Sequence, residues 1–132
     1  MSAFIPPYPD LRLVDDKGSR PEFMLIYDFM YESNFGKAIY TVPAGFQTDG
    51  PSIPQVAMSF TGYPGLRAAI IHDYLVTHPE VILREYADQI FHEALLVCEV
   101  DPVTAQLMYS AVAGYTQQLR KQASAGNIDG GA

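Results

Sequence analysis

The stretch GLRAAIIHDYLVTH, residues 65–78, decides the architecture of this chain. Its apolar residues are Leu66, Ala68, Ala69, Ile70, Ile71, Tyr74, Leu75 and Val76. Placed on a helix at roughly 100° per residue, these side chains surround the axis and leave no polar face. A helix that is apolar on every side is buried on every side. We therefore predict a central helix that is enclosed by the rest of the domain.

His72 and Asp73 lie in the middle of this predicted buried helix. An ionised carboxylate without a partner in such a place costs several kcal/mol, so it must be hydrogen-bonded, ion-paired or bound to a metal. Two interpretations are open. The pair is either a structural polar contact with the strand half, through Arg20 or backbone amides, or part of a metal or acid–base site.

A second helix is predicted for VILREYADQIFHEALLVCEV, residues 81–100. Its apolar residues fall within one arc, as in an ordinary one-sided helix. Asp88 lies at the edge of that arc, where a surface ion pair with Arg84 is the simplest expectation. His92 lies one turn later on the same side, so Asp88 and His92 are able to share a site. Glu93 projects from the opposite flank.

The third helix is predicted for residues 101–122. Asp101 is a favourable N-cap and Pro102 an ideal first helical residue. Arg120 falls in the predicted last turn, where a positive charge suits the helix dipole. The small, polar and glycine-rich segment 123–132 is predicted to be a flexible tail.

The first half of the chain has the pattern of strands and turns. Strands are predicted at 11–16, 22–33 and 37–49, separated by turn-forming residues. Strands followed by helices indicate an α+β fold, here a small antiparallel β-meander packed on about three helices. We expect one domain over residues 1–122, with strands at about 11–49 and helices at about 65–122.

The segment TDGPSIP, residues 48–54, is a rigid turn that leads into extended chain. Asp49 and Ser52 are suited to bonding backbone amides in such a turn. Rigid loops that follow a strand also display catalytic and binding groups. Structural and functional roles are therefore both open for these two residues.

Composition excludes some classes of function. The net charge is -7, from 15 acidic and 8 basic residues, without a basic stripe, so nucleic acid is not an expected partner. The first residues have neither a positive n-region nor a long apolar stretch, and we expect no signal peptide and no membrane span. Cys98 is the single cysteine, so no intrachain disulfide is possible, and we expect a buried thiol.

Three segments together resemble the phage and prophage family known as domain-of-unknown-function family 1353. They are VPAGFQTDGPSIP (42–54), AAIIHDYL (68–75) and YADQIFHEAL (86–95), and the resemblance in order and spacing covers roughly residues 22–115. The polar positions that match the family pattern are Thr48, Asp49, Ser52, His72, Asp73 and Asp88. The resemblance implies a phage origin, a compact α+β domain and a cluster of Asp49, His72, Asp73 and Asp88.

The chain departs from the family pattern at two positions. Pro51 stands where members often have a small residue, and Gln55 where they often have a basic one. If that basic residue binds a ligand in family members, Gln55 of this chain would not take over that role.

One functional hypothesis is a metal-dependent hydrolase of cell-wall or small-molecule substrates. His72, Asp73 and Asp88 are the expected ligands of Zn²⁺ or Mn²⁺, because imidazole and carboxylate suit these ions. Asp49, His72 and Asp73 are the candidate catalytic residues, and Thr48 and Ser52 the candidate binding residues. An open position on the ion would activate water.

The other hypotheses are not catalytic. In one, the chain is a phage accessory, virion or tail-associated protein, and the polar cluster locks the strand half to the first helix. In another, it inhibits a host factor. The expected partners are phage structural proteins or a host protein, and the expected location is the host cytoplasm or the virion.

Overall fold

The computed structural model describes residues 2–15, 22–48 and 65–129, which form strands followed by helices. The strands are β1 (Ala3–Ile5), β2 (Leu11–Asp15), β3 (Glu22–Leu25), β4 (Phe29–Ser33), β5 (Ala38–Val42) and β6 (Gln47–Thr48). The helices are α1 (Leu66–Val76), α2 (Arg84–Val97) and α3 (Pro102–Asp129). The predicted α+β class and the three helices are confirmed.

The described strands form two antiparallel three-stranded sheets, with the orders β1-β4-β5 and β2-β3-β6. The segment predicted as one strand over 22–33 is divided between them, because the chain turns at residues 26–28. Asp28 at this turn accepts a hydrogen bond from the amide of Ala44 at 2.8 Å. Strand β1, which was not predicted, has three residues, pairs with β4 and places Phe4 opposite Tyr31.

Helix α1 is enclosed, as its sequence predicts. All of its residues are buried or half-buried, and Ala68, Ile70 and Ile71 are fully buried. It packs against β5 on one side and α2 on another, and α2 in turn contacts β4 and α3. The core is therefore continuous from the β1-β4-β5 sheet through the three helices.

Helix α3 packs through a single stripe. The stripe consists of Ala105, Met108, Val112 and Thr116, spaced three or four residues apart, as expected for a helix with one buried side. The predicted cap is confirmed, since the Asp101 carboxylate accepts hydrogen bonds from the amides of Val103 and Thr104 at 3.1 and 3.3 Å.

The end of α3 differs from the prediction. The helix continues past residue 122 to Asp129, so Arg120 is not in its last turn. The Arg120 guanidinium instead donates two hydrogen bonds to the Glu85 carboxylate, at 2.7 and 2.8 Å. Across the described ranges, no helix is both long and apolar enough to cross a membrane.

Candidate functional site

A buried histidine–aspartate pair joins α1 to α2. The distance from Nε2 of His72 to Oδ1 of Asp88 is 2.7 Å, and the two residues are 0% and 1% exposed. His72 lies in the centre of α1, and its ring packs on that of Phe91 with centroids 4.7 Å apart. The apolar sequence that buries α1 is therefore what removes this pair from solvent.

The second oxygen of Asp88 is held from α3. The Thr116 hydroxyl donates to Oδ2 of Asp88 at 2.6 Å, and Thr116 is itself 1% exposed. Nε of Arg84 donates to the Thr116 hydroxyl at 3.1 Å. The Arg84 guanidinium also lies over the Tyr115 ring, 5.3 Å from its centroid. One chain of hydrogen bonds thus runs from half-buried Arg84 through Thr116 and Asp88 to His72.

The second imidazole nitrogen of His72, Nδ1, differs from Nε2 in its surroundings. Nδ1 is buried and, within the described part of the chain, has no hydrogen-bond partner. The Asp88 carboxylate can only accept hydrogen bonds, from Thr116 on one oxygen and from His72 on the other. Nε2 of His72 is therefore the donor in its contact with Asp88. This tautomer assignment comes from the hydrogen-bond network. In the neutral ring, Nδ1 then carries a lone pair and no hydrogen.

The structure places the remaining predicted site residues as follows. Asp73 is half-buried, whereas the prediction was that it would not reach solvent. Adjacent helical residues point roughly 100° apart, so Asp73 faces a less covered side of α1 than His72 does. Thr48, the last residue of β6, is 2% exposed. Asp49 and Ser52 lie outside the described residues, as does Arg20.

The expectation of a surface ion pair between Asp88 and Arg84 is wrong. Helix α3 covers the edge of the apolar arc on which Asp88 lies, so the carboxylate is buried and Arg84 reaches it only through Thr116. His92 contacts α3 elsewhere, with its ring centroid 5.4 Å from that of Tyr109. His92 and Asp88 thus contact different residues of α3, Tyr109 and Thr116.

Glu93, for which no role was predicted, joins α2 to the strands. Its carboxylate accepts hydrogen bonds from the Tyr31 hydroxyl at 2.7 Å, the Ser33 hydroxyl at 2.8 Å and the amide of Phe35 at 2.8 Å. Burial, followed by the hydrogen bond to Glu93, raises the pKa of Tyr31 far above its usual value of 10.0. This network fixes β4 and the turn after it to α2.

The predicted buried thiol is confirmed. Cys98 is buried at the end of α2, and burial raises its pKa above the usual thiol value. A raised pKa keeps the sulfur as an unreactive thiol. Cys98 therefore belongs to the core and is not a nucleophile candidate.

The described side chains do not form a metal centre by themselves. In residues 2–15, 22–48 and 65–129, no group of three or more His, Cys, Asp or Glu side chains is arranged to hold a metal ion. His72 and Asp88 bind each other through Nε2 and Oδ1 at 2.7 Å, so of the two imidazole nitrogens Nδ1 is the one not engaged by Asp88. A metal centre that includes His72 would thus need at least one further ligand from outside the described ranges, where Asp49 lies.

A small cleft opens between α2 and α3 beside the buried pair. Its volume is about 110 Å³, and its polar lining includes Glu85, Asp88, Gln89, Tyr109, Thr116 and Gln117. A polar space of this volume can hold several water molecules.

Comparisons with known proteins give a family and one uncharacterised relative. The model of a family described as "Protein of unknown function (DUF1353)" matches residues 23–112. An uncharacterized protein, y4jT, of Sinorhizobium fredii (strain NBRC 101917 / NGR234) is 34% identical over 104 residues. The match covers 76% of this chain and 30% of that protein, so the chain spans about a third of the relative's length. No solved structure gives a significant match.

Proposed function

Since this chain belongs to the DUF1353 family of proteins of unknown function, we propose that it is a phage-encoded accessory protein whose His72 binds a divalent metal ion through Nδ1. Asp88 holds the imidazole from the opposite side. The α+β fold and the family are established, and metal binding and a phage origin are what we propose in addition.

One observation carries the proposal: Nδ1 of His72 is buried and has no hydrogen-bond partner in the described chain, while Nε2 is held by a carboxylate. An unsatisfied buried polar atom costs roughly 1–3 kcal/mol, so such atoms are rare without a use. Metal-binding histidines commonly donate their second nitrogen to a carboxylate, which fixes the ring and raises its basicity. His72 and Asp88 have this arrangement, with Nδ1 as the available ligand atom.

The chemistry of the donors selects the class of ion. Imidazole with carboxylates suits Zn²⁺ or Mn²⁺. Asp73 and Asp49 are the further ligands we propose, and Thr48 and Ser52 the groups that would contact a substrate. With an open position, the ion would activate water for hydrolysis of a cell-wall or small-molecule substrate.

Elemental mass spectrometry of the purified chain tests the proposal. We expect zinc or manganese in the wild type, and its loss in His72→Gln. His92→Gln is the matched control, because it makes the same substitution at a half-buried histidine of α2 whose ring packs on Tyr109. The control is expected to retain the metal.

A second readout keeps the test decisive if His72→Gln fails to fold. The thermal midpoint of the wild type should fall on metal chelation and recover when Zn²⁺ or Mn²⁺ is added, because a ligand that binds only the folded state stabilises it. A wild type that contains no metal and shows no shift with either ion would overturn the metal site. The His72–Asp88 pair would then be architectural.

An assembly role in the virion or tail is the second candidate. It is supported by α3, where Val103, Leu107 and Tyr115 are large apolar residues that remain exposed. Exposed apolar residues on one helix are suited to contacts with a phage structural protein. Detection of the chain in purified phage particles by mass spectrometry would support this role, and its absence from particles while it is present in infected cells would exclude it.

A further inference from the structure

We propose that Thr116, supported by Arg84, is a positioning residue that holds Asp88 on Nε2 of His72 and so leaves Nδ1 as the available nitrogen. The use of Nδ1 as a ligand rests on the proposed function. The positioning itself is a property of the hydrogen-bond chain and is testable without any metal.

The direction of each hydrogen bond follows from the first donor. An arginine guanidinium donates and cannot accept, so the Thr116 hydroxyl is the acceptor in its contact with Nε of Arg84. The single hydrogen of that hydroxyl is then free to point at Oδ2 of Asp88, 2.6 Å away. A short hydrogen bond of this kind is typical of a hydroxyl that donates to an ionised carboxylate.

Asp88 is thereby restrained at both oxygens. Oδ2 is fixed from α3 by Thr116, and Oδ1 lies 2.7 Å from Nε2 of His72 in α1. Without the bond from Thr116, the carboxylate would be free to rotate away from the imidazole. The contact between His72 and Asp88 therefore depends on a residue of the third helix.

The position of Thr116 in α3 argues against packing as its sole role. It occupies the buried stripe of α3, whose preceding members Ala105, Met108 and Val112 are apolar. Valine has nearly the same shape as threonine and would fill this position without burying a hydroxyl. The hydroxyl present here is used twice, once as acceptor and once as donor.

Thr116 is also outside the part of the chain that the family pattern identifies. The family model ends at residue 112, four positions before Thr116. Arg84 precedes the matching motif in α2 and was expected to contact Asp88 directly. The packing of α3 on α2 brings Thr116 and Arg84 into one chain of hydrogen bonds with His72.

The test is proton NMR of the imidazole in the metal-free protein. In the wild type we expect a resolved Nε2 proton of His72 that exchanges slowly with solvent. Thr116→Val should accelerate its exchange at least tenfold or broaden the signal beyond detection. Thr116→Ser retains the hydroxyl and should restore the signal, a result that a role in packing alone would not give.

Two further variants complete the design. Thr104→Val makes the same substitution at a half-buried position of α3 and should leave the signal unchanged. Arg84→Met removes the donor to Thr116 while retaining an apolar stem, and should also accelerate exchange; it serves as the test if Thr116→Val does not fold.

Either of two results would overturn the proposal. One is a wild-type His72 with its hydrogen on Nδ1, and the other is an Nε2 proton that exchanges equally slowly in Thr116→Val or Arg84→Met. Both are independent of the metal analysis above. Failure of the positioning role and failure of the metal site would therefore be distinguished.

Discussion

Asp88 and Thr116 are 28 residues apart and are joined by a buried 2.6 Å hydrogen bond between α2 and α3. The same carboxylate contacts His72 of α1 at 2.7 Å, so one side chain links all three helices. Buried polar groups contribute to stability only when all their partners are present, and the loss of one partner leaves the others unsatisfied. Asp88 is therefore important for stability as well as for the candidate site.

We predict that Asp88→Ala lowers the free energy of unfolding by roughly 2–4 kcal/mol, since it leaves Nε2 of His72 and the Thr116 hydroxyl without their acceptor. Urea denaturation measures this loss. Glu80→Ala, on an exposed turn, should change stability by no more than about 0.5 kcal/mol. In the double variant Asp88→Ala/Thr116→Val the losses should be less than additive, because both remove the same contact. Full additivity would show that the bond contributes nothing.

The site was only partly predictable from sequence. The burial of His72 followed from α1, whose apolar residues leave no face for solvent. The burial of Asp88 did not follow, because helical periodicity places a residue on an arc but does not reveal which neighbour covers the edge of that arc. Thr116 could not be identified at all, since its role depends on the packing of α3 on α2.

The strands show the same limit. The apolar run from residue 22 to 33 indicates β-structure, but the turn at 26–28 that sends β3 and β4 into different sheets depends on long-range pairing. The three-residue strand β1 is too short for a sequence signal and exists through its pairing with β4. Local pattern thus predicted the kinds of element, and tertiary contacts set the sheet order.

We predict that Asp101→Ala destabilises the fold by about 1 kcal/mol, the usual effect of removing an N-cap. The Asp101 carboxylate accepts from the amides of Val103 and Thr104, and alanine leaves both without this acceptor. Asp101→Ser is the matched control, because serine is also a good N-cap and should retain most of the stability. Thermal denaturation of the three proteins provides the comparison, and equal midpoints for alanine and serine would contradict a capping role.

We predict that Arg120→Gln has a small, pH-dependent effect on stability. The hydrogen bonds from Arg120 lower the pKa of Glu85 from 4.5 to about 2. A lowered carboxyl pKa contributes stability above pH 4.5 that is lost as the pH falls toward 2. The effect is small because both side chains are half-exposed to solvent. Urea denaturation at pH 7 should show that Arg120→Gln is less stable than the wild type. At pH 2, or in 1 M salt, the stabilities of the two proteins should approach each other. A stability difference that does not depend on pH would contradict the ion pair.

The network of Glu93 leads to a prediction at alkaline pH. Because folding raises the pKa of Tyr31 above 10.0, the folded state favours the neutral phenol. The contribution of Tyr31 is fully present below pH 10 and is lost as the pH rises above it, at up to about 1.4 kcal/mol per pH unit. Wild-type stability should therefore decrease above pH 10. Tyr31→Phe should reduce this decrease without abolishing it, because burial also raises the pKa of Tyr40.

Glu93→Gln separates the two causes of the Tyr31 shift. Burial is the larger cause and remains in this variant, so the pKa of Tyr31 should stay above 10.0. That pKa should still be lower than in the wild type, because the Glu93 carboxylate is gone. The variant should also lose roughly 1–3 kcal/mol, since an amide cannot accept all three hydrogen bonds. Urea denaturation between pH 7 and pH 11 measures both effects, with Tyr27→Phe as the exposed-tyrosine control. If Glu93→Gln is as stable as the wild type at pH 7, Glu93 does not fix β4 to α2.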